Sequence, residues 1–198
     1  EGCGVVLMKR LSDARRDGDR IFGLVRGTAI NQDGRSSGLT APSGPAQESV
    51  IRDALADAGV GPHAVRFIEA HGTGTSLGDP IEVQAIGSVF ADRAGDDPVL
   101  LGSVKTNLGH LEGAAGIAGL IKAVLALEQG ELPPHLHFRT PNPYIPWDEL
   151  PVSVATRRTP LRGEGELLAG VSSFGFSGTN AQIILGRAPA SAPAPAPT

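Results

Sequence analysis

Cysteine, methionine, tryptophan and tyrosine each occur once in 198 residues, and aromatic side chains make up only 4% of the chain. One cysteine forms neither an internal disulfide nor a cysteine-type zinc cluster, so a stapled fold and a structural zinc site are set aside and the usage fits a reducing cytoplasm. Basic runs are also missing. With 17 Lys and Arg against 21 Asp and Glu, the net charge is −4, and the electrostatic footprint of a nucleic-acid or anionic-membrane partner is not there. No apolar stretch approaches the roughly 18 residues that a membrane helix needs. The opening EGCGVVLMKR puts apolar residues before basic ones, the reverse of a secretion signal. These absences predict a soluble cytoplasmic protein with no nucleic-acid, membrane or metal partner. What is present is 40% hydrophobic residues with 27 Gly and 16 Pro, a turn-rich chain long enough for one domain with its own core. It opens without a methionine and in the middle of an apolar run, which predicts a piece of a longer polypeptide.

Periodicity and punctuation predict alternating strands and helices. Val5 to Met8 reads as a short strand, Lys9 to Arg20 as a helix ending at Gly18, and Ile21 to Ile30 as a second strand before a polar loop with an Asp33-Gly34 turn. Val50, Ile51, Ala54, Leu55 and Ala58 fall at helical spacing, with Gly59 as the stop. Val65 to Ala70 and Val99 to Val104 read as buried strands. Each runs into a Gly/Thr-rich loop and then a helix, the first opened by Asp79 at the N-cap, Pro80 at N1 and Glu82 at N3 and ending near Arg93. The second helix, Glu112 to Gln129, is apolar nearly all round and predicts burial in the middle of the domain. A proline-rich crossing over Pro133 to Pro151 leads to a short strand, Val152 to Ala155. Leu167 to Ser173 and Ala181 to Leu185 read as an antiparallel pair, and the tail APASAPAPAPT as a solvated linker. Two strand–loop–helix units in succession predict an α/β protein whose sheet is parallel or mixed and covered by helices.

The chemistry-bearing residues lie at the ends of those two strands, where ligands and reacting groups of open α/β sheets gather. His71 closes one strand and His110 lies in the loop after the other. A lone histidine in a turn is most simply a hydrogen-bonded turn residue, but two in matching positions point to a shared site. Lys105 is one of three lysines and follows a buried strand, so it is expected to have a carboxylate partner. Glu82 is the candidate partner, although Asp79-x-x-Glu82 also reads as a helix capping box. The turn His71-Gly-Thr-Gly-Thr-Ser-Leu-Gly78 could cradle phosphate, but it lacks the Gly-Lys-Ser/Thr ending of a P-loop.

Three motifs carry a family resemblance. Glu69-Ala-His-Gly-Thr-Gly-Thr75 with Gly78-Asp-Pro80, Lys105-Thr-Asn-Leu-Gly-His110 with Glu112-Gly-Ala-Ala-Gly116, and Ser173-Phe-Gly-Phe-Ser-Gly-Thr-Asn180 together resemble the β-ketoacyl synthases. The nearest likeness is to ketosynthase domains of modular type I polyketide synthases. Asn31-Gln-Asp-Gly34, Gly38-Leu-Thr-Ala-Pro42 and the Pro-Asn-Pro at 141 to 143 point the same way, and the likeness runs from Glu1 to about Gly186. It implies a thiolase-like fold of two similar α/β halves, with residues 1–40 ending the first half, 41–186 forming the second and 187–198 a Pro/Ala linker. It implies decarboxylative Claisen condensation of an acyl thioester with a malonyl-type extender. In that reading His71 and His110 are catalytic, Lys105 supports them with Glu82 and Asp79 behind it, and Thr73 and Thr75 line the phosphopantetheine tunnel. Phe176 serves the oxyanion hole and gate.

The resemblance also implies that no cofactor is bound directly, because the substrates ride on the phosphopantetheine of an acyl carrier protein. The implied partners are that carrier protein, the preceding half of the ketosynthase, a second copy of the parent enzyme in a homodimer, and a downstream domain such as an acyltransferase. The family's nucleophile sits in a Cys-Ser-Ser elbow in the preceding half. Cys3, in Gly2-Cys-Gly4, has no serine neighbours and no helix start to activate it, and reads as a small packing residue. The chain alone is therefore expected to be inactive. Gln182 is a smaller departure, since His more often follows Asn-Ala in such domains. A condensing domain of a type I fatty acid synthase and a non-catalytic structural or docking fragment are the alternatives. Thiolysis is disfavoured because Phe174 to Asn180 has no cysteine.

Overall fold

A computed structural model describes residues 1–35, 38, 41–93, 97–163 and 165–189. The elements in chain order are α1 (Leu11–Asp17), β1 (Gly23–Gln32), α2 (Gly44–Ala58), β2 (Val65–Glu69), α3 (Gly78–Val89), β3 (Val99–Gly102), α4 (Lys105–Leu108), α5 (Ala115–Gln129), β4 (Glu131–Leu132), β5 (Val152–Val154), β6 (Thr159–Pro160), β7 (Leu168–Phe174) and β8 (Thr179–Arg187). Local signals set most boundaries. Ser43 caps α2 by accepting the Ala46 amide at 3.3 Å, and Gly59 ends it in the left-handed region at φ 67°.

Among the described residues the main sheet has the order β1-β8-β7-β2-β3-β5. Strands β7, β2, β3 and β5 are mutually parallel, while β8 is antiparallel to both of its neighbours. The period-2 alternation of the buried strands sends their side chains into two separate cores. Ile68, Leu101, Leu168 and Ile184 pack with α2 and α3 on one face. Phe67, Ala169, Val171 and Leu185 pack with Ala123, Ala126 and Leu127 of α5 on the other. The result is a three-layer sandwich with helices on both sides of a mixed sheet. Strand β1, expected from the sequence to belong with the first half, pairs with β8 and so completes this same sheet.

At the β1 edge the pairing register shifts between Val25 and Gly27, and the Thr28 amide, unused by β8, donates to the Asp57 carboxylate of α2 at 2.8 Å. A Cβ at Gly27 would stand 2.4 Å from the Ala58 nitrogen and 2.6 Å from the Ala54 carbonyl, so α2 lies directly against the β1 backbone.

Several sequence expectations change. Val5 to Met8 is no strand: it has no ladder partner among the described residues, and Val5 and Leu7 are almost fully exposed. A strand needs a neighbour for its amides, which hydrophobicity alone does not supply. Helix α3 starts at Gly78 with Leu77 at the N-cap, and ends at Val89 rather than Arg93. Lys105 to Leu108 is a short helix, not a loop. Helix α5 is buried only on its sheet side, for Ile121 and Leu125 are exposed and line a groove of about 680 Å³ with Leu111, Ile117 and the Gly2-Cys-Gly4 segment. Cys3 is exposed, so it does not pack; the flanking glycines do, against Leu111 and Ile117. Expectations for residues 36, 37, 39, 40 and 190–198 lie outside the described residues.

Candidate active site

Parallel β2, β3 and β7 are neighbours in the sheet, so their carboxyl ends fall together. The turn at His71 follows β2, the Lys105–His110 segment follows β3, and Phe174 ends β7. That placement brings the two histidines into contact. Their rings stand edge to face, with centroids 5.5 Å apart and planes at 83°.

The glycine-rich turn is held from below by α3. Glu82, buried on the first turns of that helix, accepts the His71 amide at 2.7 Å and the Gly72 amide at 2.8 Å. Asp79 accepts the Gly74 amide at 3.0 Å. The capping-box reading is thus corrected: neither carboxylate caps the helix by the expected pattern, and both instead bind the backbone of the turn. Gly72 and Gly74 have φ of 48° and 76°, and a Cβ on Gly72 would meet Ser103 at 3.1 Å, so glycine is needed for this path. Thr75 Oγ1 accepts the Gly78 amide at 3.0 Å and lies 3.5 Å from the Thr73 hydroxyl; both threonines are exposed.

Backbone amides fix the tautomers of both imidazoles. Phe174 N–H donates to His71 Nδ1 at 3.4 Å, and Glu112 N–H donates to His110 Nδ1 at 2.9 Å. With Nδ1 accepting, the proton of each neutral ring is assigned to Nε2, which becomes the free donor. Glu112 makes its bond from a left-handed conformation, φ 50°, which a non-glycine residue adopts at a cost of about 1–2 kcal/mol. His71 also packs against the Phe174 ring, centroids 5.5 Å apart.

Electrostatics keep His71 neutral. Burial pushes its pKa down to about 4, and the Lys105 ammonium and His110 push the same way. Burial likewise pushes the Glu82 carboxyl up to about 7, against the pull of the Gly72 and His71 amides. Lys105 is lowered by burial, while Glu82 and Glu69 act in the opposite direction. No direct Lys105–Glu82 ion pair forms among the described residues; the two interact through space. The lysine with a buried carboxylate partner is Lys122, whose Nζ stands 2.6 Å from Glu69 Oε2. Sequence reasoning missed this pair. An acidic residue at the end of a buried strand and a single lysine in an apolar helix were the signal, because each burial demands a counter-charge.

The Phe176 side chain stands in the β7–β8 turn, 80% exposed, and Phe174 is the phenylalanine whose ring packs against His71. Asn180, buried at the start of β8, donates to Asn31 at 3.1 Å and Asp33 at 2.7 Å, tying the Asn31-Gln-Asp-Gly34 loop to that turn. Gln182 is fully buried and accepts from Ser172 Oγ at 2.7 Å. Among the described residues no cluster of three His, Cys, Asp or Glu is placed to hold a metal, and no helix is long and apolar enough to cross a membrane.

A mixed sheet between helix layers, with paired histidines at its carboxyl edge, defines a thiolase-like α/β protein of the ketosynthase type. Comparison with known proteins gives the particular family. The family model for the β-ketoacyl synthase C-terminal domain matches residues 22–139, and that for the ketoacyl-synthetase C-terminal extension matches 141–198, so the chain belongs to the β-ketoacyl synthase family as its C-terminal domain. It is 56% identical over 200 residues to erythronolide synthase EryA3 of Saccharopolyspora erythraea, covering 100% of this chain and 6% of that protein. It is 56% identical over 198 residues to polyketide synthase GfsB of Streptomyces halstedii, covering 99% of this chain and 4% of the relative. The chain therefore spans less than a tenth of these curated relatives. Among solved structures, the ketosynthase from module 6 of the bacillaene synthase of Bacillus subtilis 168 superposes with a TM-score of 0.86 at 41% identity, over 91% of this chain and 33% of that one. Ketosynthase twelve of the bacillaene synthase of Bacillus amyloliquefaciens gives 0.86 at 42% identity, over 91% and 33%.

Proposed function

We propose that this chain supplies the histidine half of a ketosynthase, which condenses an acyl thioester with a malonyl-type extender during polyketide chain elongation. The observation that carries the reading is the pair of imidazoles with Nδ1 blocked by backbone amides and ring centroids 5.5 Å apart, which leaves two Nε2–H donors free. The polyketide setting rests on the names of the relatives, among them a polyketide synthase of Streptomyces halstedii and the erythronolide synthase of Saccharopolyspora erythraea.

In this reading the acyl group sits on a cysteine of the preceding half, and the extender arrives on the phosphopantetheine of an acyl carrier protein, past Thr73 and Thr75. As carbon dioxide leaves the malonyl group, the electron pair of the broken C–C bond enters the enolate, whose oxygen gathers negative charge. His71, held neutral by burial, and His110 donate to that oxygen, an arrangement that lowers the barrier where charge develops. The enolate carbon then attacks the acyl carbonyl; the new C–C bond forms and the cysteine thiolate departs. Glu82 and Asp79 hold the His71 turn, Lys105 lowers the pKa of His71 through its field, and Phe176 gates the acyl pocket by moving from its exposed position. A homodimeric parent with a downstream acyltransferase completes the proposal, and no resident cofactor takes part.

The test uses the full-length synthase. His71→Ala and His110→Ala should each reduce carbon dioxide release from a malonyl thioester by a factor of about 10² to 10³, while acyl loading of the upstream cysteine stays near wild type. The double variant should be little worse than either single one. Near-normal release in both single variants would defeat the reading.

A further inference from the structure

Beneath the histidines lie two charged residues, one buried and one largely so, that the condensation chemistry does not use. Glu69 ends β2 two residues before His71, with its side chain 2% exposed, and Lys122 lies in the middle of α5 with its side chain 12% exposed. The ammonium binds Glu69 Oε2 at 2.6 Å, and Glu69 Oε1 accepts the Val104 amide at 2.5 Å. Val104 immediately precedes Lys105, at the root of the segment that ends in His110. Two glycines of the surrounding backbone make room for the pair, beside the groove that Lys122 also lines. A Cβ at Gly119 would stand 3.2 Å from Glu69 Cγ, and one at Gly102 would stand 3.0 Å from Lys122 Nζ. Apolar residues of similar volume often serve the stability of a core as well as a buried ion pair or better, so the pair calls for another explanation, and what it joins supplies one. It links β2, which delivers His71, to the start of α4, which delivers Lys105 and His110, and to α5 behind them.

We propose that Glu69 and Lys122 are positioning residues: the ion pair holds the Glu69 carboxylate where it anchors the Val104 amide, and so fixes the His110 segment relative to His71. The chemical readout of this inference rests on the ketosynthase reading. Two donors serving one oxygen tolerate little displacement, for a misplacement of about 1 Å is enough to cost on the order of a hundredfold in rate.

The charged groups acting on Glu69 among the described residues are Lys122 from α5 and Lys105 from the start of α4. Lys122 in turn faces Glu69 and acts on His135 in the proline-rich crossing. Burial pushes the Glu69 carboxyl up, and Lys122, the Val104 amide and Lys105 pull it down. Without Lys122 the push of burial is less opposed, and the carboxyl takes up its proton at higher pH.

The experiment compares full-length synthase carrying Lys122→Met or Glu69→Gln with wild type, using malonyl-pantetheine for decarboxylation and an acetyl-N-acetylcysteamine thioester for loading. Lys122→Met should lower kcat for carbon dioxide release by about ten- to a hundredfold, with KM changed by less than about twofold and loading unchanged. Its acid limb should move to higher pH, so that lost activity returns as pH rises. Glu69→Gln keeps the shape and cannot ionise, so it should lose kcat with no such movement of the limb. Amide hydrogen exchange over 103–110 should quicken in both variants while that over 23–32 stays as in wild type. An unchanged kcat and limb, a parallel loss of loading and release, or exchange quickened throughout the chain would overturn the proposal. A wild-type enzyme that releases no carbon dioxide from malonyl-pantetheine would strike the ketosynthase reading instead, and the exchange comparison would then decide the positioning role by itself.

Discussion

The Phe174 amide reaches His71 Nδ1 at 3.4 Å across 103 positions of sequence, and the rings of the two residues pack with centroids 5.5 Å apart. The end of β7 thus sets the tautomer of a residue that follows β2, while burial holds that residue neutral. A ring whose Nδ1 already accepts a hydrogen bond, and whose surroundings disfavour charge, resists protonation until the solution is strongly acidic.

That resistance has a thermodynamic signature. The unfolded chain protonates His71 near 6.5 and the folded chain near 4, so stability falls as pH drops through this interval. Glu82 acts in the opposite direction: its folded pKa of about 7 lies above the ordinary 4.5, so its contribution falls as pH rises through that interval. Each contribution amounts to about 3 kcal/mol across its range, and the two partly cancel. In denaturant titrations between about pH 4 and about pH 7.5, Glu82→Gln should show stability climbing with pH, and His71→Gln should show it declining. Identical pH dependence in the two variants would contradict the assignment.

Gly27→Ala tests how tightly α2 is seated on β1. The added Cβ would meet backbone atoms of Ala54 and Ala58, which cannot rotate aside. A destabilisation of about 1–3 kcal/mol or more is expected from urea unfolding. A change within about 0.5 kcal/mol, the range of neutral surface substitutions, would show that the helix can move off the strand.

The open face of α5 should make this chain self-associate. Ile121 and Leu125 are exposed beside Leu108 and a groove of about 680 Å³, a contiguous apolar surface of the kind that draws a partner. Sedimentation at low micromolar concentration should show species larger than monomer, and Ile121→Lys with Leu125→Lys should shift the distribution toward monomer. A sharp monomer boundary for the unaltered chain would refute the expectation.

Much of this architecture was legible in the sequence because the central strands are short apolar runs that end in Gly/Thr loops and the helices carry clear stop signals. Gly59 ends α2 as expected, and the Gly/Thr loops fall at the strand ends where the histidines meet. What escaped depends on contacts between distant segments. Val5 to Met8 has strand composition, yet composition cannot state whether a neighbouring strand exists. Asp79 and Glu82 have capping-box spacing, and only the returning path of the 71–75 turn reveals that they bind its amides. Glu69 and Lys122 lie 53 positions apart, and no local pattern joins them. Phe174 and Phe176 flank the same glycine, and the sequence cannot choose which one lies against His71.

The Thr28–Asp57 hydrogen bond bears on how the protein keeps company with other copies of itself. The outermost strand of a sheet is a template for a newcomer, because its outward amides and carbonyls wait in regular sequence. Here one of those amides is already occupied by a carboxylate from α2, and the Val25–Gly27 offset breaks the regular spacing beside it. An incoming strand would lose a rung at Thr28 and meet negative charge there. The β1 margin is therefore protected against fibril-like growth by a single aspartate on a neighbouring helix, even while the opposite layer leaves α5 open.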